Sequence, residues 1–138
     1  MYKKTEIGRY AEQWVLAYLQ HLGLQHLYSN FHCRYGEVDL IMLDQECLVF
    51  AEVRARKYST FATALESVDE KKQAKTILAA QHFLQKYPEY EQFDCRFDVV
   101  ALDYCSVNSI VEHLSKNFMD LLQQQTVNLQ WIKNAYTM

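Results

Sequence analysis

The chain has little glycine, little proline and no paired cysteines. Its 138 residues include three glycines and one proline, so we expect few long irregular segments and mostly helices and strands. Its four cysteines lack the short paired spacing of a zinc site, which predicts reduced packing residues. No window is long and apolar enough to cross a membrane, and no apolar run follows the basic start of the chain. We therefore predict a cytoplasmic protein with no membrane contact.

An excess of positive charge is also absent. The chain carries 14 Lys and Arg against 17 Asp and Glu, a formal net charge of −3, which argues against a protein that coats nucleic acid by bulk charge. This balance still permits a local basic rim around an acidic centre. Half of the residues are hydrophobic and 14% are aromatic, so we expect one ordered domain with a full core over residues 1–138.

The hydrophobic pattern predicts an α/β fold with a mixed sheet, in which the first three strands form a meander. The predicted elements are a helix over 5–22, strands over 24–33, 37–43 and 47–55, a helix over 67–87, a strand over 93–102, a helix over 108–124 and a last strand over 129–135. Ser67 and Glu70 match a capping box that opens the second helix. Its buried face is expected to comprise Val68, Ala74, Ile77, Leu78, Gln81 and Leu84.

Charged side chains interrupt two otherwise apolar strands. Alternation places Glu37 and Asp39 on one face of the second strand, and Glu52 and Arg54 on one face of the third. If the hairpin turns at residues 45–46, Asp39 lies opposite Glu52, and Glu37 opposite Arg54. Acids within apolar strands are costly unless they are neutralised. A divalent metal would neutralise them, and carboxylates that hold a metal are suited to phosphodiester cleavage. The competing interpretation is a structural ion pair at a sheet edge.

Several blocks of the sequence resemble a known bacterial family. They are Gly8-x-x-x-Glu12, Asn30 followed by residues 34–41, residues 48–56, Ser67-Val68 with Lys72, residues 96–100 and residues 131–136. In order and spacing they resemble the YraN-type family of uncharacterised bacterial proteins, which is assigned to the restriction-endonuclease-like (PD-(D/E)xK) superfamily. The resemblance implies a restriction-endonuclease-like fold, with a mixed β-sheet flanked by α-helices.

The resemblance also implies an active site. Its catalytic residues are Glu12, Asp39, Glu52 and Arg54, and the ligands of a Mg²⁺ or Mn²⁺ ion are Asp39, Glu52 and Glu12. Arg54 stands where the superfamily usually has lysine, and a guanidinium cannot act as a base. We expect DNA contacts from the basic residues near these acids, namely Arg34, Arg56, Lys57 and Lys72, with Arg9, Lys71 and Lys75.

Three functions remain open at this stage. The first is a Mg²⁺-dependent nuclease that acts on branched, single-stranded or broken DNA. The second is a nucleic-acid-binding module that kept the fold and lost turnover, which Arg54 supports. The third is an interaction protein that docks a partner through the helix over 108–124, within an extended connection over 104–127. Resolvase-like relatives are often dimeric, which adds a homodimer to the expectations.

Overall fold

Five strands of one mixed sheet lie between two long helices in the computed structural model, which describes residues 4–57, 65–104 and 127–138. The elements are α1 (Lys4–His21), β1 (Gln25–Cys33), β2 (Gly36–Asp44), β3 (Cys47–Lys57), α2 (Glu70–Lys86), a short 3₁₀ helix (Pro88–Tyr90), β4 (Asp94–Tyr104) and β5 (Val127–Tyr136). The predicted helix over 108–124 lies outside the described residues. Within these ranges, no helix is both long enough and apolar enough to span a membrane.

The strand order follows the chain from β1 to β5. The first three strands pair antiparallel as a meander, β3 pairs parallel with β4, and β4 pairs antiparallel with β5. The parallel pair needs a crossover, and α2 lies within that connection. The predicted mixed α/β architecture is confirmed, and it is consistent with a restriction-endonuclease-like fold.

Each helix covers one face of the sheet. The core on the α1 side contains Ala11, Trp14, Val15, Leu19, Leu24, Leu40, Met42, Val49, Ala51, Val100 and Leu102. The core on the α2 side contains Phe31, Val38, Ile41, Leu48, Phe50, Ala79, Ala80, Phe83 and Phe97. Strands β2, β3 and β4 contribute side chains to both cores, so their sequences are almost continuously apolar. Any charged side chain within them must therefore find a partner or reach an opening.

The start of α2 differs from the prediction. Asp69 is its N-cap, and the Asp69 carboxylate accepts a hydrogen bond from the backbone N–H of Lys72 at 2.9 Å. The carboxylate also interacts favourably with the helix dipole, so Asp69 caps the helix in place of Ser67. The buried face is rotated as well, with Thr76, Ala79, Ala80 and Phe83 buried, while Ala74, Leu78 and Gln81 are exposed. The small Ala79 and Ala80 let the helix approach the sheet closely, and Phe83 fills the core beside them.

Candidate active site

A pocket of about 580 Å³ opens where α1, β2, β3 and α2 meet. Glu12 of α1, Asp39 of β2, Glu52 and Arg54 of β3, and Lys72 of α2 line it. The remaining lining residues are Gly8, Arg9, Asn30, Glu37 and Val53. The structure therefore brings together all four residues predicted as catalytic, although they come from positions between 12 and 54 of the chain.

The β2–β3 hairpin has the register that the sequence predicted. The paired residues run from Asp44–Cys47 to Leu40–Ala51, where the pairing ends, one residue before Asp39 and Glu52. At that point the Asp39 carboxylate accepts a hydrogen bond from the backbone N–H of Val53 at 2.8 Å. The carboxylate of β2 is thus held directly against the backbone that follows Glu52.

The alternation of β2 breaks at Asp39. Val38 belongs to the core on the α2 side and Leu40 to the core on the α1 side, although residues two apart on a regular strand share a face. The neighbouring strand β1 is irregular at the same level. Asn30 has a φ of 52° and lies between Phe31 and Ser29, the β1 partners of Val38 and Leu40. Asparagine tolerates this left-handed conformation better than most residues. The paired irregularity positions Asp39 at an opening between the two cores.

Burial and neighbouring acids raise the pKa of two carboxyl groups of the pocket, Asp39 and Glu12. Burial is the main cause that raises the pKa of Asp39 to about 8, and the charges of Glu52, Glu12 and Glu37 add to it. The hydrogen bond from Val53 opposes this shift. Burial also raises the pKa of Glu12, against hydrogen bonds from Asn30 and Asp39. A cluster of acids that disfavours its own ionisation is typical of a site that binds a cation or transfers a proton.

Two side chains of α2 hold Glu52, which is only 5% exposed. Lys72 Nζ lies 3.2 Å from Glu52 Oε1, and the Thr76 hydroxyl lies 3.3 Å from Glu52 Oε2. The same hydroxyl lies 3.0 Å from the backbone carbonyl oxygen of Lys72, so its single proton serves one of the two acceptors at a time. Sequence analysis missed Thr76. Its position one helical turn after Lys72 was the available signal.

Tyr136 lies behind this part of the site. Burial raises the pKa of Tyr136 to about 12, the nearby charges of Glu52 and Asp39 add to the shift, and the Thr76 hydroxyl opposes it. The ring stacks on Phe97 with centroids 5.1 Å apart. The C-terminal strand thus backs the wall that carries Glu52, a long-range contact that no local pattern could have indicated.

Arg54 and Glu37 do not form the ion pair that the hairpin register suggested. Among the residues that the structure describes, Arg54 makes no hydrogen bond and no ion pair, although it lines the same pocket as four carboxylates. Glu37 Oε2 instead lies 3.7 Å from His32 Nδ1 on the neighbouring strand, and both side chains are exposed. The guanidinium of Arg54 is therefore available to an anion that enters the pocket.

The predicted DNA contacts divide into two groups. Lys72 lines the pocket, and Arg34 lines a cavity next to it. Lys57 is exposed at the end of β3, outside the residues that line the pocket. Arg56 is 15% exposed and pairs with Asp103, at 2.6 Å from Nε to Oδ1 and 3.3 Å from Nη2 to Oδ2. Because β3 and β4 run parallel with Arg56 beside Asp103, the structure gives Arg56 a role within the sheet.

The donor set of the pocket suits a hard cation. Its acidic residues offer only carboxylate oxygens, and none of the described residues that line it is a cysteine or a histidine. In the part of the chain that the structure describes, no three His, Cys, Asp or Glu side chains form a ready-made metal cage. Mg²⁺ does not need one, because it is usually held by one or two carboxylates, with waters and substrate phosphate oxygens as its other ligands. The carboxylates of Glu52, which is buried, and Asp39, which is partly buried, repel each other and fit this mode of binding.

A mixed sheet flanked by two helices, with acids of β2 and β3 in one pocket, defines the class of this chain as an α/β domain consistent with the restriction-endonuclease-like fold. The chain belongs to the uncharacterised protein family UPF0102, whose model matches residues 11–102. It is 45% identical to a UPF0102 protein of Alcanivorax borkumensis, over 96% of this chain and 93% of that protein. It is 40% identical to a UPF0102 protein of Acinetobacter baylyi, over 96% of this chain and 90% of that protein. It is 43% identical to a UPF0102 protein of Pseudomonas putida, over 96% of this chain and 94% of that protein. The resemblance to the YraN-type family is thereby confirmed.

Proposed function

We propose that this protein is a metal-dependent nuclease that hydrolyses phosphodiester bonds in DNA. The observation that carries the proposal is the convergence of Glu12, Asp39 and Glu52 in one pocket with two cationic side chains, Arg54 and Lys72. An acid such as Asp39, whose pKa is raised by burial and by the charges of neighbouring acids, is costly to keep ionised in a fold without a ligand. A divalent cation would neutralise the acids of this pocket, and a phosphate group would neutralise its cationic side chains.

Asp39 and Glu52 are the proposed ligands of Mg²⁺ or Mn²⁺, with Glu12 as a third acid at the same site. When bound, such an ion polarises a phosphate oxygen and lowers the pKa of a coordinated water. Arg54 binds a phosphate oxygen and stabilises the negative charge that develops during cleavage. An ammonium has three donors, so Lys72 can contact Glu52 and still orient a water or a phosphate oxygen.

Exposed cations near the pocket provide contacts to the DNA backbone. Arg9 lines the pocket itself, and Arg34, Lys71 and Lys75 line the adjoining cavity. Contacts of this kind position a phosphate backbone without reading base sequence. We therefore propose that the protein recognises branched or damaged DNA by its structure.

Cleavage of labelled branched and single-stranded DNA, measured with Mg²⁺, with Mn²⁺ and with EDTA, tests the proposal. We expect metal-dependent cleavage that Asp39→Asn and Glu52→Gln each reduce by roughly a hundredfold or more, because each replaces a charged carboxylate ligand of the metal by a neutral amide. Glu46→Gln is the matched control, since Glu46 is an exposed acid in the turn of the same hairpin. Cleavage that is undiminished in both Asp39→Asn and Glu52→Gln would overturn the proposal.

A further inference from the structure

A second cavity, of about 780 Å³, adjoins the pocket and shares Glu37, Glu52 and Lys72 with it. One wall is the turn between β1 and β2, with Arg34 and Tyr35, and the other is the start of α2. We propose that this cavity, called here the strand groove, binds an unpaired nucleotide next to the bond that is cut, with its base stacked on Tyr35. This inference rests on the proposed nuclease function and names the feature of DNA that the site selects.

The outer part of the strand groove has free positive charge. Lys71 and Lys75 are exposed, and within the described ranges neither forms an ion pair. The acids of the groove already have partners: Asp69 caps α2 and Glu52 contacts Lys72, while Glu37 lies near His32. The unpaired lysines can therefore neutralise phosphates of a bound strand, which makes binding sensitive to salt.

Tyr35 offers an aromatic surface inside this charged groove. It is 52% exposed, and it lines the groove. The His82 ring lies against it with centroids 5.9 Å apart and planes inclined by 32°, and Arg34 Cζ lies 5.7 Å from the ring centroid. A base that stacks on Tyr35 takes the place of the guanidinium, which can then hold the adjoining phosphate. Positive charge combined with an exposed ring is the usual composition of a single-strand binding surface.

The two walls of the strand groove are locked together at Gly36. A Cβ atom at this position would lie 2.2 Å from the backbone carbonyl oxygen of Lys75, so only glycine lets the β1–β2 turn sit directly on α2. Tyr35 and Lys75 are consequently held at a fixed separation by backbone contact. A groove whose ring and charges are already in place binds its ligand at a lower entropic cost.

The size of the strand groove favours an unpaired nucleotide over a duplex. Cavities of roughly 300 to 1,000 Å³ enclose single small molecules, and about 780 Å³ falls within that range. Bases within a duplex are stacked on their neighbours and cannot reach Tyr35, whereas unpaired bases can turn out and stack on an aromatic ring. Because the groove is continuous with the acid pocket, the stacked nucleotide lies beside the phosphate at Asp39 and Glu52.

Binding measured without metal tests this inference separately from catalysis. Fluorescence anisotropy in EDTA gives the affinity of the full chain for a short labelled single strand and for the matched duplex. Tyr35→Ala removes the ring on which the base stacks. The variant should therefore bind the single strand roughly five- to a hundredfold more weakly than wild type, with its duplex affinity almost unchanged. Tyr35→Phe keeps the ring and should bind like wild type. Tyr10→Ala, at another exposed tyrosine that lies on α1 outside the groove, is the control.

The outcomes separate the inference from the nuclease proposal. Unchanged single-strand affinity in Tyr35→Ala, or an equal loss for single strand and duplex, would overturn the stacking role even if Glu52→Gln abolishes cleavage. A selective loss of single-strand affinity in Tyr35→Ala supports the binding of an unpaired nucleotide in the strand groove, even if the protein cuts no DNA. If cleavage is observed, Tyr35→Ala should raise KM for single-stranded DNA more than it lowers kcat, because Tyr35 holds a nucleotide next to the reacting bond.

Discussion

Replacement of Asp39 by asparagine should stabilise the metal-free protein at alkaline pH. Asp39 lies among three other acids, and its pKa is raised to about 8 from an ordinary 3.8. Above this pH the folded state must hold a buried negative charge beside Glu12 and Glu52. The amide of Asp39→Asn is neutral and similar in shape, and its oxygen can still accept the hydrogen bond from the Val53 N–H. The substitution thus removes the repulsion and keeps the local contact.

The sign of the pH dependence follows from proton binding. Between the unfolded pKa of 3.8 and the folded pKa of about 8, the folded state binds more protons than the unfolded state, so stability falls as pH rises. At about 1.4 kcal/mol for each pKa unit, the whole interval corresponds to an upper bound of roughly 5 to 6 kcal/mol. The pocket is open to water, which screens the charges, so we expect the wild type to lose roughly 2 to 3 kcal/mol through Asp39 over this interval.

Urea denaturation of wild type and Asp39→Asn at several pH values between about 5 and 9 measures this effect. The two proteins should differ little near pH 5, and the variant should be more stable by roughly 2 to 3 kcal/mol near pH 9. Glu46→Gln, in the exposed hairpin turn, should leave the slope unchanged. Parallel pH profiles for wild type and Asp39→Asn, or a variant that is less stable at high pH, would refute the reasoning about repulsion between the acids.

Two further substitutions test how the site is supported. Gly36→Ala should destabilise the protein by roughly 1 to 3 kcal/mol in thermal unfolding, because its Cβ would meet the carbonyl of Lys75, and a variant as stable as wild type would contradict the close contact. Asp98→Ala should cost roughly 3 kcal/mol or more, because the fully buried Asp98 carboxylate accepts hydrogen bonds from Arg96 Nε, Trp131 Nε1 and the Asn134 N–H. DNA cleavage measured well below the melting temperature should persist in Asp98→Ala, and its loss there would show that Asp98 serves more than the sheet.

The register of the β2–β3 hairpin could be predicted because burial determines it. The turn at residues 45–46 has no glycine or asparagine, and Gln45 adopts a φ of 55°. A shift by one residue would turn fully buried side chains such as Met42 and Phe50 towards the opposite face. That loss is larger than the strain of one non-glycine residue with positive φ, so the apolar pattern decides the pairing. The pairing ends at Leu40 and Ala51, so the predicted opposition of Asp39 and Glu52 lies just beyond it, although both acids line the same pocket.

Most differences from the prediction concern contacts between residues that are distant in the chain. The buried face of α2 depends on how the helix meets the sheet, which a capping-box pattern at Ser67 does not indicate, whereas the cap is a local contact between Asp69 and the Lys72 N–H. Arg56 has the sequence context of a surface cation, yet the parallel pairing of β3 with β4 places it beside Asp103. The break of alternation at Asp39 likewise depends on the left-handed Asn30 of the neighbouring strand. Patterns in the sequence indicated which residues matter, whereas their partners required the fold.

Two aspartates of this sheet, Asp98, which is fully buried, and Asp39, which is partly buried, show how the structure distinguishes a functional acid from a structural one. Both interrupt apolar strands. Asp98 is surrounded by donors, one of which is the Arg96 guanidinium, so its charge is compensated within the protein. Asp39 accepts a hydrogen bond from Val53 but otherwise faces the acids Glu52, Glu12 and Glu37. The fold thus surrounds the Asp98 carboxylate on β4 with donors, whereas the Asp39 carboxylate on β2 has no cationic partner in the described residues. We infer that a bound cation supplies the positive charge at Asp39.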